Sequence, residues 1–390
     1  MDLLQYDCIT AAGDGPATLL NALNSGSDLS CIVRPDQWSR AVAGGGRVCF
    51  LPNISFLDRN YQNELNEHIE KIWNRIYLKN SAVEKSGLKS AKALVIFSST
   101  KGFIEDFIWT HKGHPEGVRT IPDPFQAVVQ KFKTDNEKYF SILDCLVVSN
   151  ACASSHIAIE MAEAAIESLS YDYVIVICAD LIGPFIYQGF QSLKVLSGSR
   201  NQPFGQNRDG LQLGEAVAIL VFGKPSKAPG SVKIKAISSE TEGGSVTRPS
   251  ENGESLLRAM KSMVEKMDSK TPDFFMAHGT GTRFNDASEE LAIRKFSSFL
   301  KISKPVMGIK WCVGHTLGAS GALDLIVSSE VLKAQKLFKI HNTTQIDSAF
   351  ESAVLTYDSQ MNNENKISCA VVNSLGFGGV HAALFLEVSP

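Results

Sequence analysis

Paired cysteines are the first thing missing from this sequence. Its eight cysteines, Cys8, Cys31, Cys49, Cys145, Cys152, Cys178, Cys312 and Cys369, are scattered, and none stand in CxxC fashion. That argues against a zinc site. Most lie in apolar stretches, and a reducing cytoplasm is the expected compartment. No run of about 18 apolar residues occurs, so no membrane span is expected. The start, MDLLQYDCIT, has no basic region ahead of an apolar block and is not read as a secretory signal. A net charge of only −3 gives no global reason to bind nucleic acid or an anionic membrane. What is present is ordinary globular composition: 390 residues, 44% hydrophobic and 20% charged. That length allows a large core or two fused half-domains.

Along the chain, strand-like and helix-like stretches alternate. Asp14 or a neighbour is placed to cap a helix through Leu23, with Gly26 after its end. In 61–86, Leu65, Ile69, Ile72 and Ile76 share one helical face. AKALVIFS from Ala91 and YVIVICA from Tyr173 read as buried strands. In 231–390 the order continues with strands near 232, 273, 306, 368 and 382. Helices are expected over 250–267, with Ser250 as cap, over 286–300 and over 318–332. Two parts of similar element order, 1–224 and 231–390, are therefore expected, joined by KPSKAPGS, although no residue-level repeat is visible. A layered α/β arrangement follows.

The stretch from Asp144 to Ala165, DCLVVSNACASSHIAIEMAEAA, puts Cys152 where a buried strand ends and a buried helix begins. The first N–H groups of a helix lack partners and its dipole is positive there, which favours thiolate, the nucleophilic form. A small buried core thiol fits the same position. Three Gly-rich turns follow strands further on. The first is His278-Gly279-Thr280-Gly281-Thr282 with Asp286 and Glu289. The second runs from Lys310 to Gly314-His315 and on to Gly318-Ala319-Ser320-Gly321. The third is Asn373-Ser374-Leu375-Gly376-Phe377-Gly378-Gly379. Such turns aim backbone N–H groups and polar side chains into a cleft. Of the eight histidines, His278 and His315 have these surroundings. His68, His111, His114, His156, His341 and His381 are read as structural or solvated, His156 with its ring turned away from the thiol.

The set ACASS, HGTGT, K-x-x-x-GH-x-x-x-ASG and N-S-x-GFGG resembles the β-ketoacyl synthase family of decarboxylating condensing enzymes, and the resemblance covers nearly the whole chain. It implies a thiolase-like α/β fold: two β-α-β-α-β-α-β-β halves in a five-layered αβαβα sandwich. It implies an acyltransferase joining an acyl thioester to malonyl-ACP in fatty-acid or polyketide-type synthesis. It matches Cys152 to the acyl-accepting thiol, and His278 and His315 to the pair that stabilises the enolate. Lys310 matches the lysine supporting that pair, balanced by Asp286 and Glu289. The N–H groups of Cys152 and Phe377 match the oxyanion hole, Phe377 also the gate, and Thr280 and Thr282 the pantetheine contacts. GVRTIPDP resembles a segment lining the acyl pocket near a dimer seam. No intrinsic cofactor or metal is implied, since the substrates ride on the phosphopantetheine of acyl carrier protein. The partners implied are that carrier and a second ketosynthase-like chain, as homodimer or heterodimer.

Two positions depart from the family pattern. Asp324 stands where the family usually has Glu, and PFGQNRDG has Gly205 where an Asp is usual. These changes point to a specialised pathway, polyene synthesis among them, or to one half of a heterodimer. The other reading is a chain-length-factor-like partner with little condensing activity. Such partners usually lack the cysteine, which is present here. A thiolase-like enzyme would want a second catalytic cysteine, and Cys369 lies too far back on its strand.

Overall fold

The computed structural model describes residues 1–33, 46–52, 59–79, 88–106, 125–226, 228–356, 359–360 and 366–389. The GVRTIPDP stretch lies outside them. In chain order the main elements of the first half are β1 (Asp2–Thr10), α1 (Pro16–Ser25), α2 (Tyr61–Lys79), β2 (Lys92–Ser98), α3 (Gln126–Asn136), β3 (Ile142–Val148), α4 (Ser154–Ser168), β4 (Tyr173–Asp180), α5 (Pro184–Ser192) and β5 (Ala216–Gly223). The second half has β6 (Val232–Thr241), α6 (Glu254–Ser262), β7 (Phe274–Met276), α7 (Arg283–Leu300), β8 (Val306–Met307), α8 (Lys310–Val313), α9 (Ser320–Ala334), β9 (Cys369–Gly376) and β10 (Val380–Val388).

The ten strands lie in one sheet in the order β8-β7-β9-β10-β6-β1-β5-β4-β2-β3. The order is the same on both sides of the middle. Each half reads third, second, fourth, fifth, first. In each half the second strand runs parallel to the third and fourth, and the fifth runs antiparallel to the fourth and the first. The duplication expected from element order is thus real at the level of topology. The seam between the halves is short: β1 meets β6 antiparallel only at Asp2 with Lys233 and Leu3 with Val232.

Helices cover both faces. The apolar stripe of α2, with Leu65, Ile69, Ile72 and Ile76 buried, packs on β1 and β5, and α3 packs on β3. At about 1.5–3 kcal/mol for each aliphatic side chain removed from water, that stripe holds the helix. On the far side α6 lies over β6 and β10, with α7 beside it. Between the halves lie α4 and α9. They touch each other, α4 contacts β2, β4 and β6, and α9 contacts β9, β5 and β1. That is the five-layered arrangement of the thiolase-like fold. A middle layer needs helices apolar or small all round, and SGALDLIVSSEVLKA is buried at twelve of its positions.

Local expectations near 250 give way to the structure. The helix starts at Glu254 behind Gly253, which is left-handed at φ 64°, and Ser250 does not cap it. The N–H of Ser250 instead goes to Glu242, at 2.7 Å. A turn satisfied this way has no use for the serine as a cap. Among the described residues no helix is long and apolar enough to cross a membrane.

Candidate active site

Cys152 and His315 hold the same topological place in the two halves. Each follows the third strand of its half and precedes a middle-layer helix, α4 for Cys152 and α9 for His315. Packing those helices together brings their N-terminal ends to one point. There Nε2 of His315 lies 3.0 Å from Sγ of Cys152. The ring of His278 stands perpendicular to that of His315, with centroids 5.0 Å apart. All three residues line one cavity of about 690 Å³, which Thr280, Thr282 and Phe377 also line.

The turn that presents the sulfur is strained and well bonded. Ala151 has φ 46°, a left-handed conformation that costs a non-glycine residue energy. Ser154 offsets this cost. Its hydroxyl accepts the N–H of Asn150 at 2.7 Å and donates to the carbonyl of Ala151 at 2.6 Å. His315 is held by a different device. Its N–H donates to the carbonyl of Gln212 at 2.6 Å, and its carbonyl accepts the N–H of Gly214 at 2.9 Å. Gly314 allows that approach: its φ is 74°, and a Cβ there would stand 2.5 Å from the carbonyl oxygen of Leu213.

The electrostatics of the site are set by burial. The Cys152 thiol is pushed up to about 12, because burial outweighs the N–H groups of Phe377 and Cys152 and the charge of Lys310, all of which pull it down. The helix end alone does not leave a resting thiolate. Both histidines are held well below the usual imidazole range, by burial first and then by Lys310. They are therefore neutral at neutral pH, and a neutral imidazole offers one N–H and one acceptor nitrogen. Nδ1 of His315 lies 2.9 Å from the hydroxyl of Ser320, and Nδ1 of His278 is buried without a hydrogen-bond partner.

Asp286 and Glu289 shape the turns that carry these groups. Glu289 accepts the N–H groups of His278 and Gly279 at 2.7 and 2.8 Å. Asp286 accepts those of Gly281 at 3.1 Å and Phe204 at 2.7 Å. Burial raises both carboxyls, Asp286 to about 6 and Glu289 to about 7. Lys310 balances Glu289 at a distance, its charge lowering that carboxyl against the effect of burial, while its direct partner is a different acid. The ammonium of Lys310 bonds Asp324 at 3.0 Å, because both project from the 310–324 segment while the other two acids face backbone donors. The shorter Asp324 therefore keeps the lysine. Gly205 likewise leaves no gap: Arg208 bonds the carbonyl of Gly205 at 2.9 Å and the carboxylate of Asp347 at 2.6 Å.

The pantetheine and gate candidates are also in the cavity wall. The hydroxyls of Thr280 and Thr282 are 3.0 Å apart. Phe377 is half-buried and stacks on Phe190 of α5, with centroids 5.7 Å apart. His156 bonds the carbonyl of Val372 at 3.1 Å, so its ring goes to β9 rather than to the cavity. Three residues have roles that the sequence reading did not assign. His381 lines the cavity, 3.2 Å from Glu242; the signal was its place two residues after the GFGG turn. Asp180 ends β4 and accepts the N–H of Gly318 at 2.8 Å. Ser374, near the end of β9, donates to the carbonyl of Cys152 at 3.1 Å. Each half thus fastens the reactive turn of the other from the end of its fourth strand.

Comparison with known proteins gives the family and the fold. The family description "Beta-ketoacyl synthase, N-terminal domain" matches residues 145–228 and "Beta-ketoacyl synthase, C-terminal domain" matches 232–344, together just over half of the chain. The chain belongs to the β-ketoacyl synthase family. It is 30% identical over 212 residues to a 3-oxoacyl-[acyl-carrier-protein] synthase 2 of Staphylococcus aureus, covering 51% of this chain and 52% of that one. It is 26% identical over 254 residues to the tetracenomycin polyketide synthase ketoacyl synthase alpha subunit of Streptomyces glaucescens, covering 62% and 59%. The chain thus spans about half the length of the curated relatives it matches. In fold it superposes on a chain of the ketosynthase–chain length factor complex of Xenorhabdus doucetiae with TM-score 0.80 at 20% identity, over 99% of this chain and 97% of that one.

Proposed function

We propose that this ketosynthase-family chain catalyses decarboxylative Claisen condensation between an acyl thioester and malonyl-ACP. The observation that carries the reading is the convergence of Cys152, His315 and His278 on one cavity, with sulfur and imidazole nitrogen 3.0 Å apart. In the first step the sulfur of Cys152 attacks the acyl carbonyl, its proton leaves to His315, and the pantetheine thiolate departs with that proton. The N–H groups of Cys152 and Phe377 reach the sulfur, and the same donors stabilise the tetrahedral oxyanion. In the second step malonyl thioester loses carbon dioxide, and the enolate oxygen is bonded by His278 and His315. Neutral imidazoles suit this work, since a developing negative charge gains more from a pre-oriented N–H than from water. The carbanion then attacks the Cys152 thioester and the thiolate leaves. Covalent catalysis divides one hard reaction into two easier ones.

Lys310 and Asp324 hold the histidine array in place, Asp286 and Glu289 hold the turns, Thr280 and Thr282 bond the pantetheine amides, and Phe377 gates the thiol. The substrates arrive on an acyl carrier protein, no intrinsic cofactor takes part, and the working unit is a cytoplasmic homodimer or a heterodimer with another ketosynthase-like chain. The two functional halves are 1–224 and 231–390. The specialised role proposed from Asp324 and Gly205 is set against a chain-length-factor-like role by the retained thiol and both imidazoles. The test is intact-mass detection of acylated Cys152 after incubation with acyl carrier protein bearing acyl chains, followed by β-ketoacyl product on adding malonyl-ACP. A chain that neither takes the acyl group nor releases carbon dioxide would refute the reading.

A further inference from the structure

The partner of His315 on its far side is a hydroxyl, and that choice has chemical content. Nδ1 of His315 lies 2.9 Å from Oγ of Ser320, which is itself 3.2 Å from Oγ1 of Thr316. All three residues are buried. With the 3.0 Å contact from Nε2 to Cys152, the groups form one line: sulfur, imidazole, hydroxyl, hydroxyl. A base oriented by a third group is the general form of an activated nucleophile. A carboxylate as third group accepts only. A serine hydroxyl can accept or donate.

We propose that Ser320 is a positioning residue that sets the tautomer of His315, so that one imidazole can serve both as proton acceptor for the Cys152 thiol and as N–H donor to the enolate. The inference rests on the condensing-enzyme reading for its second half only. When Ser320 accepts Nδ1–H, Nε2 is free to take the thiol proton. The S–H bond breaks, an Nε2–H bond forms, the sulfur bonds the acyl carbon, and the departing pantetheine thiolate takes the Nε2 proton. When Ser320 turns its O–H toward Nδ1, the imidazole proton belongs on Nε2, where the enolate oxygen needs it. Solvent protons in the cavity exchange the two forms between steps. Thr316 keeps the hydroxyl bonded in either orientation. The burial of the thiol makes such help necessary, because a group pushed up to about 12 gives up its proton only to a correctly oriented base.

The test is the rate of Cys152 alkylation by iodoacetamide in the full chain, read by intact mass at about pH 7, alongside acyl loading from carrier protein and malonyl-thioester decarboxylation by the unacylated chain. Ser320→Ala is expected to slow alkylation and loading about tenfold or more, while decarboxylation changes less than about threefold, since an unpartnered Nδ1 leaves the proton on Nε2. Ser320→Thr restores the hydroxyl and is expected to return alkylation to within about threefold of the parent. Thr316→Val gives a smaller slowing in the same direction. Alkylation of Ser320→Ala within about twofold of the parent would overturn the proposal. So would equal losses in loading and decarboxylation with no rescue by threonine, which is the pattern of a merely structural serine. Failure of the condensing reading shows differently: the parent chain would alkylate but neither load nor decarboxylate.

Discussion

The two halves share one strand order and put different chemistry at equivalent positions. After its third strand the first half has ACASS, which presents a thiol; the second half has the Lys310–Ser320 turn, which presents an imidazole. After its second strand the first half has Ser99 and Thr100, which bond Asp180; the second has His278. In the proposed reaction one half would hold the covalent step and the other the polar groups around it. The reciprocal ties, Asp180 to Gly318 and Ser374 to Cys152, mean that neither reactive turn is positioned by its own half alone. A duplicated fold thereby brings two helix N-termini to one point, and divergence at that point makes a pair of unlike groups.

The largest test of this division removes the first half's contribution. Cys152→Ala is expected to abolish acyl loading, read as the absence of an adduct by intact mass, while malonyl decarboxylation persists, since the second half carries it. Next, His278→Ala and His315→Ala should each lower condensation about 10²–10⁴-fold in a product assay while measurable acylation remains. Equal loss of loading in His278→Ala would show that the division between halves is not clean. A third test concerns the buried charge of the second half. Lys310→Met leaves Asp324 buried and unpaired, and should cost about 3–5 kcal/mol in denaturant unfolding. The double change Lys310→Met with Asp324→Leu should recover much of that, because two apolar groups replace the pair.

A pH experiment sharpens the comparison further. Burial raises the Glu289 carboxyl to about 7, well above its value in an unfolded chain. A raised folded value means that the folded state binds the proton more tightly, so this contribution to stability is complete below about pH 4 and lost as pH rises through about 7. Glu289→Gln should flatten that decline in urea midpoints measured across the range. The smallest expected effect belongs to the tie between the halves: Ser374→Ala removes one neutral hydrogen bond and should cost about 1 kcal/mol, with a small loss in the rate of acyl loading.

Much of this was legible before any coordinates. The apolar runs at Tyr173 and Ala91, the helical stripe from Leu65 to Ile76, and three Gly-rich turns at strand ends each have a local physical cause, and local causes survive in a sequence. Cys152, His278 and His315 were identifiable because each stands beside small residues at such an end. Other features were not legible. Asp324 as the partner of Lys310 depends on the path of α8 into α9. His381 had only its place two residues after the GFGG turn to mark it, which does not fix a position in the cavity wall. The thiol of Cys152 looked acidified from its helix end, yet burial decided the other way, and burial is a sum over distant segments.

By itself the amino-acid order determined which stretches form strands, which turn on glycine, and which side chains are candidates for acyl chemistry, because these follow from backbone sterics and side-chain type within a few residues. Tertiary structure alone decided that two equivalent helix ends meet and that the thiol rests protonated. Distance and solvent exclusion set those outcomes, and both come from packing segments more than 150 residues apart, as at Cys152 and His315.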